Sequence, residues 1–284
     1  MEVLATAVRA ANEAGELIRR KNGADVLETK VNTKDLLTEV DSECQRQIES
    51  VLSNAFPDHV LLGEEDVPPG SAAASEALGL ALREGGIAGK KSDWLWIVDP
   101  IDGTTNFVHG MPLSAVSIGV SYRGNLVVGC IYDPFRDELF TATRGGGAFL
   151  NGLRITVGKE GTLGEATVAA GAPPSPYNLA PCMRGIMALA PHIRTTRMIG
   201  SAAIMLAWVA CGRLTCYWEP DLNSWDTAAG ALLIMEAGGS MTDIEMGTPY
   251  SISTRSIIGS NGMIHDDIRR ILVSADAIWP DKAP

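Results

Sequence analysis

Two amphipathic helices are predicted near the N-terminus, because apolar residues recur there every three or four positions. The first covers residues 4–20, and its apolar face consists of Leu4, Val8, Ala11 and Ile18. The second has an apolar face made of Val40, Cys44, Ile48, Val51 and Leu52.

Short apolar runs predict β-strands through the middle of the chain. Residues 59–63 form a buried strand that ends at Glu64-Glu65, and residues 94–98 form one that ends at Asp99-Pro100. Between them, residues 67–92 are rich in Pro, Gly, Ala and Ser, which predicts a surface insertion with one short helix over 75–83. An antiparallel meander is then predicted from three runs separated by turn residues: 115–122, 126–132 and 138–143.

Strands and helices alternate in the second half, which indicates a layered α/β arrangement. The predicted strands are 166–170, 215–219, 240–244 and 256–260, and the predicted helices are 202–210, 225–236 and 266–273. The segment 158–161 predicts a boundary between an N-terminal half, 1–157, and a C-terminal half, 158–284.

Charge and cysteine content exclude several classes of protein. The formal net charge of −11 argues against a nucleic-acid partner, because phosphate-backbone contacts need clustered Lys and Arg. The five cysteines are scattered and form no CxxC pair, which predicts reduced thiols. Neither a signal peptide nor a membrane-length apolar run is evident. We therefore expect no membrane partner, and a location in the cytoplasm or, after removal of a targeting segment, in an organelle.

Acidic residues stand where predicted strands end. Asp99 and Asp102 are three apart across a turn whose φ is set by Pro100, and such a turn can direct both carboxylates and the Ile101 carbonyl at one small volume. Two carboxylates so close repel each other unless a divalent ion lies between them, and ligation by oxygen alone favours Mg²⁺ or Mn²⁺ over zinc. The amides of residues 103–105 open a predicted helix and could bind phosphate.

Each acidic segment taken alone also has an ordinary structural interpretation. Asp-Pro-x-Asp-Gly is a common turn, and Glu64-Glu65 suits a solvated surface. Asp41 could simply open a helix, and Asp226 could belong to a helix N-cap. These separate interpretations leave unexplained why strand ends repeatedly terminate in acids.

Several segments, in this order, resemble the inositol monophosphatase family, which belongs to the lithium-sensitive, magnesium-dependent sugar-phosphate phosphatases. They are DLLTEVD at 35–41, GEE at 63–65, WIVDPIDGTTNF at 96–107, WDTAAG at 225–230 and EAGG at 236–239. The resemblance covers nearly the whole chain. It implies an α/β fold built as an αβαβα sandwich, and a homodimer.

The resemblance also implies a metal-dependent site that spans both halves. Two or three Mg²⁺ per subunit, with Mn²⁺ as a substitute, would be held by Glu64, Glu65, Asp99, the Ile101 carbonyl, Asp102 and Asp226. Thr104, polarised by Asp41, would orient and help to deprotonate the attacking water, with Glu64 close by. The implied substrate-binding residues are Asp102, Gly103, Thr104, Thr105, Gly200, Ser201, Ala202, Glu219 and Asp226.

The predicted function is hydrolysis of a small polyol or sugar phosphate, with myo-inositol monophosphate as the first candidate. L-galactose 1-phosphate and histidinol phosphate are the alternatives, and a catalytically inactive binding protein of the same fold is a remote one. Two departures from the family pattern leave the substrate open. Ala172 stands where better-known members have a serine, and the insertion at 67–92 is longer than usual.

Overall fold

The computed structural model describes residues 2–23, 26–29, 36–83, 92–172 and 176–278. Within these ranges the helices are α1 (Glu2–Lys21), α2 (Glu39–Ala55), α3 (Ser71–Arg83), α4 (Thr104–Val108), α5 (Pro176–Leu189), α6 (Ala202–Ala210), α7 (Ser224–Glu236) and α8 (His265–Ser274). The strands are β1 (Val26–Thr29), β2 (Leu36–Thr38), β3 (Val60–Gly63), β4 (Trp94–Asp102), β5 (Ala115–Tyr122), β6 (Asn125–Asp133), β7 (Glu138–Thr143), β8 (Gly147–Leu150), β9 (Leu153–Ile155), β10 (Thr167–Ala170), β11 (Thr195–Arg197), β12 (Cys216–Glu219), β13 (Ser240–Asp243) and β14 (Ile257–Ser260).

The described strands form two large sheets and one two-stranded sheet. The first sheet has the order β3-β4-β5-β6-β7-β8-β9, and the second has the order β11-β10-β12-β14-β13. Among the described strands of the first sheet, β3 and β4 run parallel and the other neighbours run antiparallel. The predicted meander is β5, β6 and β7, and it is extended by β4 on one side and by β8 and β9 on the other. β10 runs parallel to both β11 and β12, and β1 pairs with β2.

The helices and sheets stack in five layers, which is the αβαβα sandwich that the resemblance implied. Helices α1 and α2 cover one face of the first sheet, α6 and α7 lie between the two sheets, and α5 and α8 cover the far face of the second. Alternate residues of β4 face opposite layers, because strand side chains alternate. Trp96 and Val98 pack against α1 and α2, whereas Leu95 and Ile97 pack toward α6 and α7.

Small residues bring α7 unusually close to the first sheet. A Cβ at Gly119 would lie 2.7 Å from the Ala228 Cβ, and a Cβ at Gly129 would lie 2.6 Å from the Ala229 carbonyl oxygen. The helix residue Gly230 in turn leaves room for Leu206 of α6. The WDTAAG segment therefore packs tightly between the first sheet and α6.

The segment predicted as a surface insertion contains a helix that is part of the core. Helix α3 begins at Ser71, earlier than the predicted start, and Ala74, Leu78 and Ala81 are buried in the central cluster between the sheets. Their spacing gives α3 an apolar stripe that needs a partner. Residues 84–91 of this segment lie outside the described residues.

Most other predicted elements are confirmed within two residues at each end, but α5 was missed. Its N-terminal side follows a proline-rich stretch, and Pro181 lies inside the helix, so the local sequence discourages a helical prediction. Burial of Cys182 and Leu189 against the second sheet stabilises it. All five cysteines are free thiols, as predicted. No described helix is both long and apolar enough to cross a bilayer.

Candidate metal centre

Asp99 and Asp102 lie near the end of β4, on either side of a bulge. β4 pairs with β5 as far as Asp99, the register then shifts, and pairing resumes at Asp102. The sequence predicted that the strand stops at Val98, which is wrong. Pro100 has no N–H to offer the sheet, so the chain bulges there and continues as a strand.

Three carboxylates meet at this end of the sheet. Asp99, Asp102 and Asp226 each offer an oxygen, and these oxygens lie within 4.8 Å of one another. The first two are buried and Asp226 is half-buried. Asp226 arrives in the first turn of α7, which lies on the same sheet as β4. The fold therefore brings together residues that are far apart in sequence.

The electrostatics of this cluster favour a bound cation. Burial raises the pKa of Asp102 to about 6, although hydrogen bonds from Ser201 and two backbone amides oppose the shift. Burial, followed by the negative charges of Glu64 and Asp102, raises the pKa of Asp226 well above its usual range. Buried carboxylates that disfavour their charged forms gain stability when a cation neutralises them. A donor set of carboxylate oxygens fits Mg²⁺.

The N-terminus of α6 fixes Asp102. The amides of Ala202 and Ala203 donate to its two oxygens at 3.2 and 2.8 Å, and the Ser201 hydroxyl also donates to it. A helix N-terminus stabilises a carboxylate in this position. Ser201 and Ala202 were predicted as substrate contacts, and the structure shows them bound to Asp102. Gly200 precedes them with a φ of 79°.

Thr104 and Asp41 form the predicted pair. The Thr104 hydroxyl lies 3.2 Å from Asp41 Oδ1 and 3.1 Å from the Ile101 carbonyl oxygen, so it can donate to either. Asp41 is 1% exposed and accepts from the Thr38 amide at 2.9 Å and the Thr38 hydroxyl at 2.6 Å. Gly103 precedes Thr104 with a φ of 93°, which favours glycine.

Glu64 and Glu65 lie at the end of β3, in a single 3₁₀ turn. β3 runs parallel to β4 with Gly63 opposite Val98, so the two strands deliver their acids to the same end of the sheet. Neither glutamate belongs to the 4.8 Å cluster found among the described residues. Glu64 is nevertheless close enough for its charge to raise the pKa of two of the clustered aspartates. The Glu65 amide donates to Gln45 Oε1 at 2.9 Å.

Glu219 ends β12 and is 5% exposed. Burial raises its pKa to about 8, and the charge of Asp102 adds to the shift. The Tyr217 hydroxyl donates to one of its oxygens. Gly171 passes so close that a Cβ there would overlap the Glu219 carboxylate. Ala172 follows Gly171 and is half-buried.

The remaining predicted residues are the backbone positions around α4. A Cβ at Gly103 would lie 3.1 Å from the Gly200 carbonyl oxygen, so these two glycines are neighbours in space. Thr105 is exposed in the first turn of α4.

Four supporting polar residues were not predicted: Thr38, Gln45, Asn106 and Tyr217. Asn106 Nδ2 donates to the carbonyl oxygens of Leu113 and Ile199, both at 2.8 Å, and so ties α4 to the loop before α6. Its position in the GTTNF segment, which is part of the family resemblance, could have identified it as a residue that supports the site. Gln45 carried a signal too, because it is a polar residue on the buried side of α2.

A five-layer fold and a carboxylate cluster at the end of β4 agree with comparison to known families. The family model described as the inositol monophosphatase family matches residues 1–277, and the chain belongs to this family.

Relatives within the family carry two kinds of name. "Nus factor SuhB" of Pseudomonas aeruginosa is 40% identical over 246 residues, which is 85% of each chain. "Inositol monophosphatase 2" of Solanum lycopersicum is 39% identical over 268 residues, covering 93% of this chain and 96% of the relative. The solved structure of an inositol monophosphatase (IMPase) from Thermotoga maritima is 33% identical, has a TM-score of 0.83, and matches 97% of this chain and 98% of its own.

Proposed function

We propose that the protein is a Mg²⁺-dependent phosphomonoesterase that acts on a small polyol or sugar phosphate, with myo-inositol monophosphate as the first candidate. The main observation in its support is the cluster of three carboxylates formed by Asp99, Asp102 and Asp226. Thr104 lies two residues after Asp102, and its hydrogen bond to Asp41 supports the same function. Family membership and the names of several relatives also support a phosphatase.

The carboxylates supply the metal ligands in this proposal. Asp99, Asp102 and Asp226 would hold the metal, together with Glu64, Glu65 and the Ile101 carbonyl that the family resemblance implies. When bound, Mg²⁺ would activate water and stabilise the leaving oxygen as a Lewis acid. Its charge also lets the buried acids stay ionised together.

Thr104, polarised by Asp41, orients the attacking water and helps to deprotonate it. Its hydroxyl has two acceptors at similar distance, the Asp41 carboxylate and the Ile101 carbonyl. Asp41 is held by Thr38, so it offers the Thr104 hydroxyl an acceptor in a fixed position. The amides of residues 103–105 bind the phosphoryl oxygens and stabilise the negative charge that develops on these oxygens.

Glu219 and the 200–202 segment lie on the substrate side. Glu219 accepts hydrogen bonds from the hydroxyls of the polyol, and Tyr217 fixes its orientation. A site of this kind discriminates strongly between alcohols, because a lost hydroxyl leaves a buried polar group unpaired. Inhibition by Li⁺ and assembly as a homodimer are part of the proposal and rest on the family resemblance.

Phosphate release from a panel of monoesters tests the proposal. The panel contains myo-inositol 1-phosphate, L-galactose 1-phosphate, histidinol phosphate and p-nitrophenyl phosphate, each with and without MgCl₂ and with a LiCl series. We expect Mg²⁺-dependent turnover, fastest with the inositol ester and inhibited by Li⁺. If the protein is folded by circular dichroism and releases phosphate from no ester, the proposal of a phosphatase is wrong. A role like that of the relatives named Nus factor would then be favoured.

A further inference from the structure

Arg255, in the loop before β14, binds the short segment that joins β12 to α7. Its Nε donates to Asp221 Oδ1 at 2.8 Å, its Nη1 donates to Asn223 Oδ1 at 2.9 Å, and its Nη2 lies 2.7 Å from Asp221 Oδ1. The Arg255 carbonyl also accepts from the Leu222 amide at 2.8 Å. All three guanidinium nitrogens therefore hold one connection.

This connection lies between two acids of the site. Glu219 is the last residue of β12, and Asp226 lies in the first turn of α7. Asn223 is the N-cap of α7, and its backbone N–H donates to Asp226 Oδ2 at 2.6 Å. Because Arg255 binds the side chain of this same asparagine, it is linked to Asp226 through a single residue.

The backbone of the connection adopts an uncommon conformation at one residue. Asp221 has a φ of 60°, in the left-handed region that residues other than glycine rarely adopt. The Arg255 and Asp221 side chains are only 15% and 12% exposed, so water screens their attraction poorly. A planar guanidinium that binds at several points holds such a conformation better than a single charge would.

Arg255 itself is fixed relative to Glu219. Ile257, two residues further on, pairs with Glu219 across the antiparallel β12–β14 ladder. The arginine thus lies two residues before the start of the strand that pairs with Glu219, and its side chain reaches the start of α7. One side chain links the two places from which Glu219 and Asp226 enter the site.

We propose that Arg255 is a positioning residue, which holds the Asp221–Asn223 segment so that Asp226 is aligned with Asp99 and Asp102 for metal binding. The inference rests on the proposed function, because it assigns Asp226 to the metal site. Residues that orient metal ligands typically contribute about 10- to 100-fold to metal affinity. Arg255 should contribute in this range.

The test compares Arg255→Met with a matched control, Arg213→Met. Arg213 also donates to a carboxylate through two nitrogens, to Glu138 at 2.6 Å from Nη1, on the β7 side of the molecule. Mg²⁺ binding is measured by titration calorimetry, and the rise of the unfolding temperature on addition of Mg²⁺ is measured separately. We expect Arg255→Met to bind Mg²⁺ at least about 10-fold more weakly than the wild type. Addition of Mg²⁺ should raise its unfolding temperature by less than it raises that of the wild type, and excess Mg²⁺ should restore its turnover. Arg213→Met should match the wild type, and Arg255→Lys should fall between.

Wild-type Mg²⁺ affinity in folded Arg255→Met would overturn the inference. If that variant does not fold, Arg255→Lys and Asp221→Asn decide in the same assays, and normal affinity in both would overturn it. The two proposals fail in distinguishable ways. A wild-type protein that binds Mg²⁺ and hydrolyses no ester overturns the proposed function alone. Normal hydrolysis, with Mg²⁺ affinity unaffected by the loss of Arg255, overturns this inference alone.

Discussion

Replacement of Thr104 by valine removes one hydroxyl and keeps the shape of the side chain. In the structure that hydroxyl contacts Asp41 at 3.2 Å and the Ile101 carbonyl at 3.1 Å. Valine has no hydroxyl and can donate a hydrogen bond to neither oxygen. Because Thr104 is assigned to the attacking water and its proton, we expect Thr104→Val to lower kcat strongly while the fold is retained.

The expected effect of Thr104→Val on the rate is larger than its expected effect on folding stability. A positioned acid–base group contributes about 10²- to 10⁴-fold to rate, which is about 2.7–5.5 kcal/mol of activation free energy. The folding cost is smaller, because Asp41 keeps both hydrogen bonds from Thr38 after the change. Loss of one hydrogen bond to a charged group costs about 1.5–3 kcal/mol, and each kcal/mol lowers Tm by roughly 2–4 °C.

The assay is kcat for Mg²⁺-dependent phosphate release at saturating substrate, with Tm measured on the same samples. Thr104→Ser is the matched control, since it keeps the hydroxyl and loses only a methyl group. We expect Thr104→Ser to keep most of the wild-type kcat. A folded Thr104→Val with near-normal kcat would refute the assignment of Thr104 to the attacking water.

Three further predictions concern other parts of the molecule. Asp99→Asn should lower kcat more than Thr104→Ala does, because it weakens a metal ligand, whereas Thr104 acts on the attacking water; near-normal turnover would contradict this. Glu219→Gln should lower kcat/KM for the preferred polyol phosphate by about 1–3 kcal/mol and affect p-nitrophenyl phosphate much less, and equal losses would show a structural role. Gly129→Ala should destabilise the fold by about 1–3 kcal/mol in urea unfolding, because its Cβ would lie 2.6 Å from the Ala229 carbonyl oxygen. Gly161→Ala, with open space around it, is the control, and an equally stable Gly129→Ala would contradict the packing argument.

Local pattern predicted most elements of this fold, because their apolar residues repeat at the helix or strand period. It failed where tertiary contacts outweigh local preference. Helix α5 forms despite Pro181, since Cys182 and Leu189 are buried against the second sheet. β4 extends past Pro100 because a bulge accommodates the missing N–H and pairing resumes at Asp102.

The candidate site divides in the same way. Asp99 and Asp102 are three residues apart across Pro100, and this spacing is enough to predict that their carboxylates are close. No local pattern shows that Asp226 joins them, and the sequence reached it only through the family resemblance. Arg255 was missed altogether, because its partners Asp221 and Asn223 come from a loop distant in sequence.

The central claim is that the clustered carboxylates form a Mg²⁺ site on which phosphate hydrolysis depends. The most direct measurement is phosphate release from myo-inositol 1-phosphate by protein stripped with excess chelator, followed by stepwise return of MgCl₂, with Mg²⁺ binding measured by calorimetry on the same preparation. The account predicts background release in chelator and recovery that follows Mg²⁺ occupancy. Full turnover in excess chelator would contradict it.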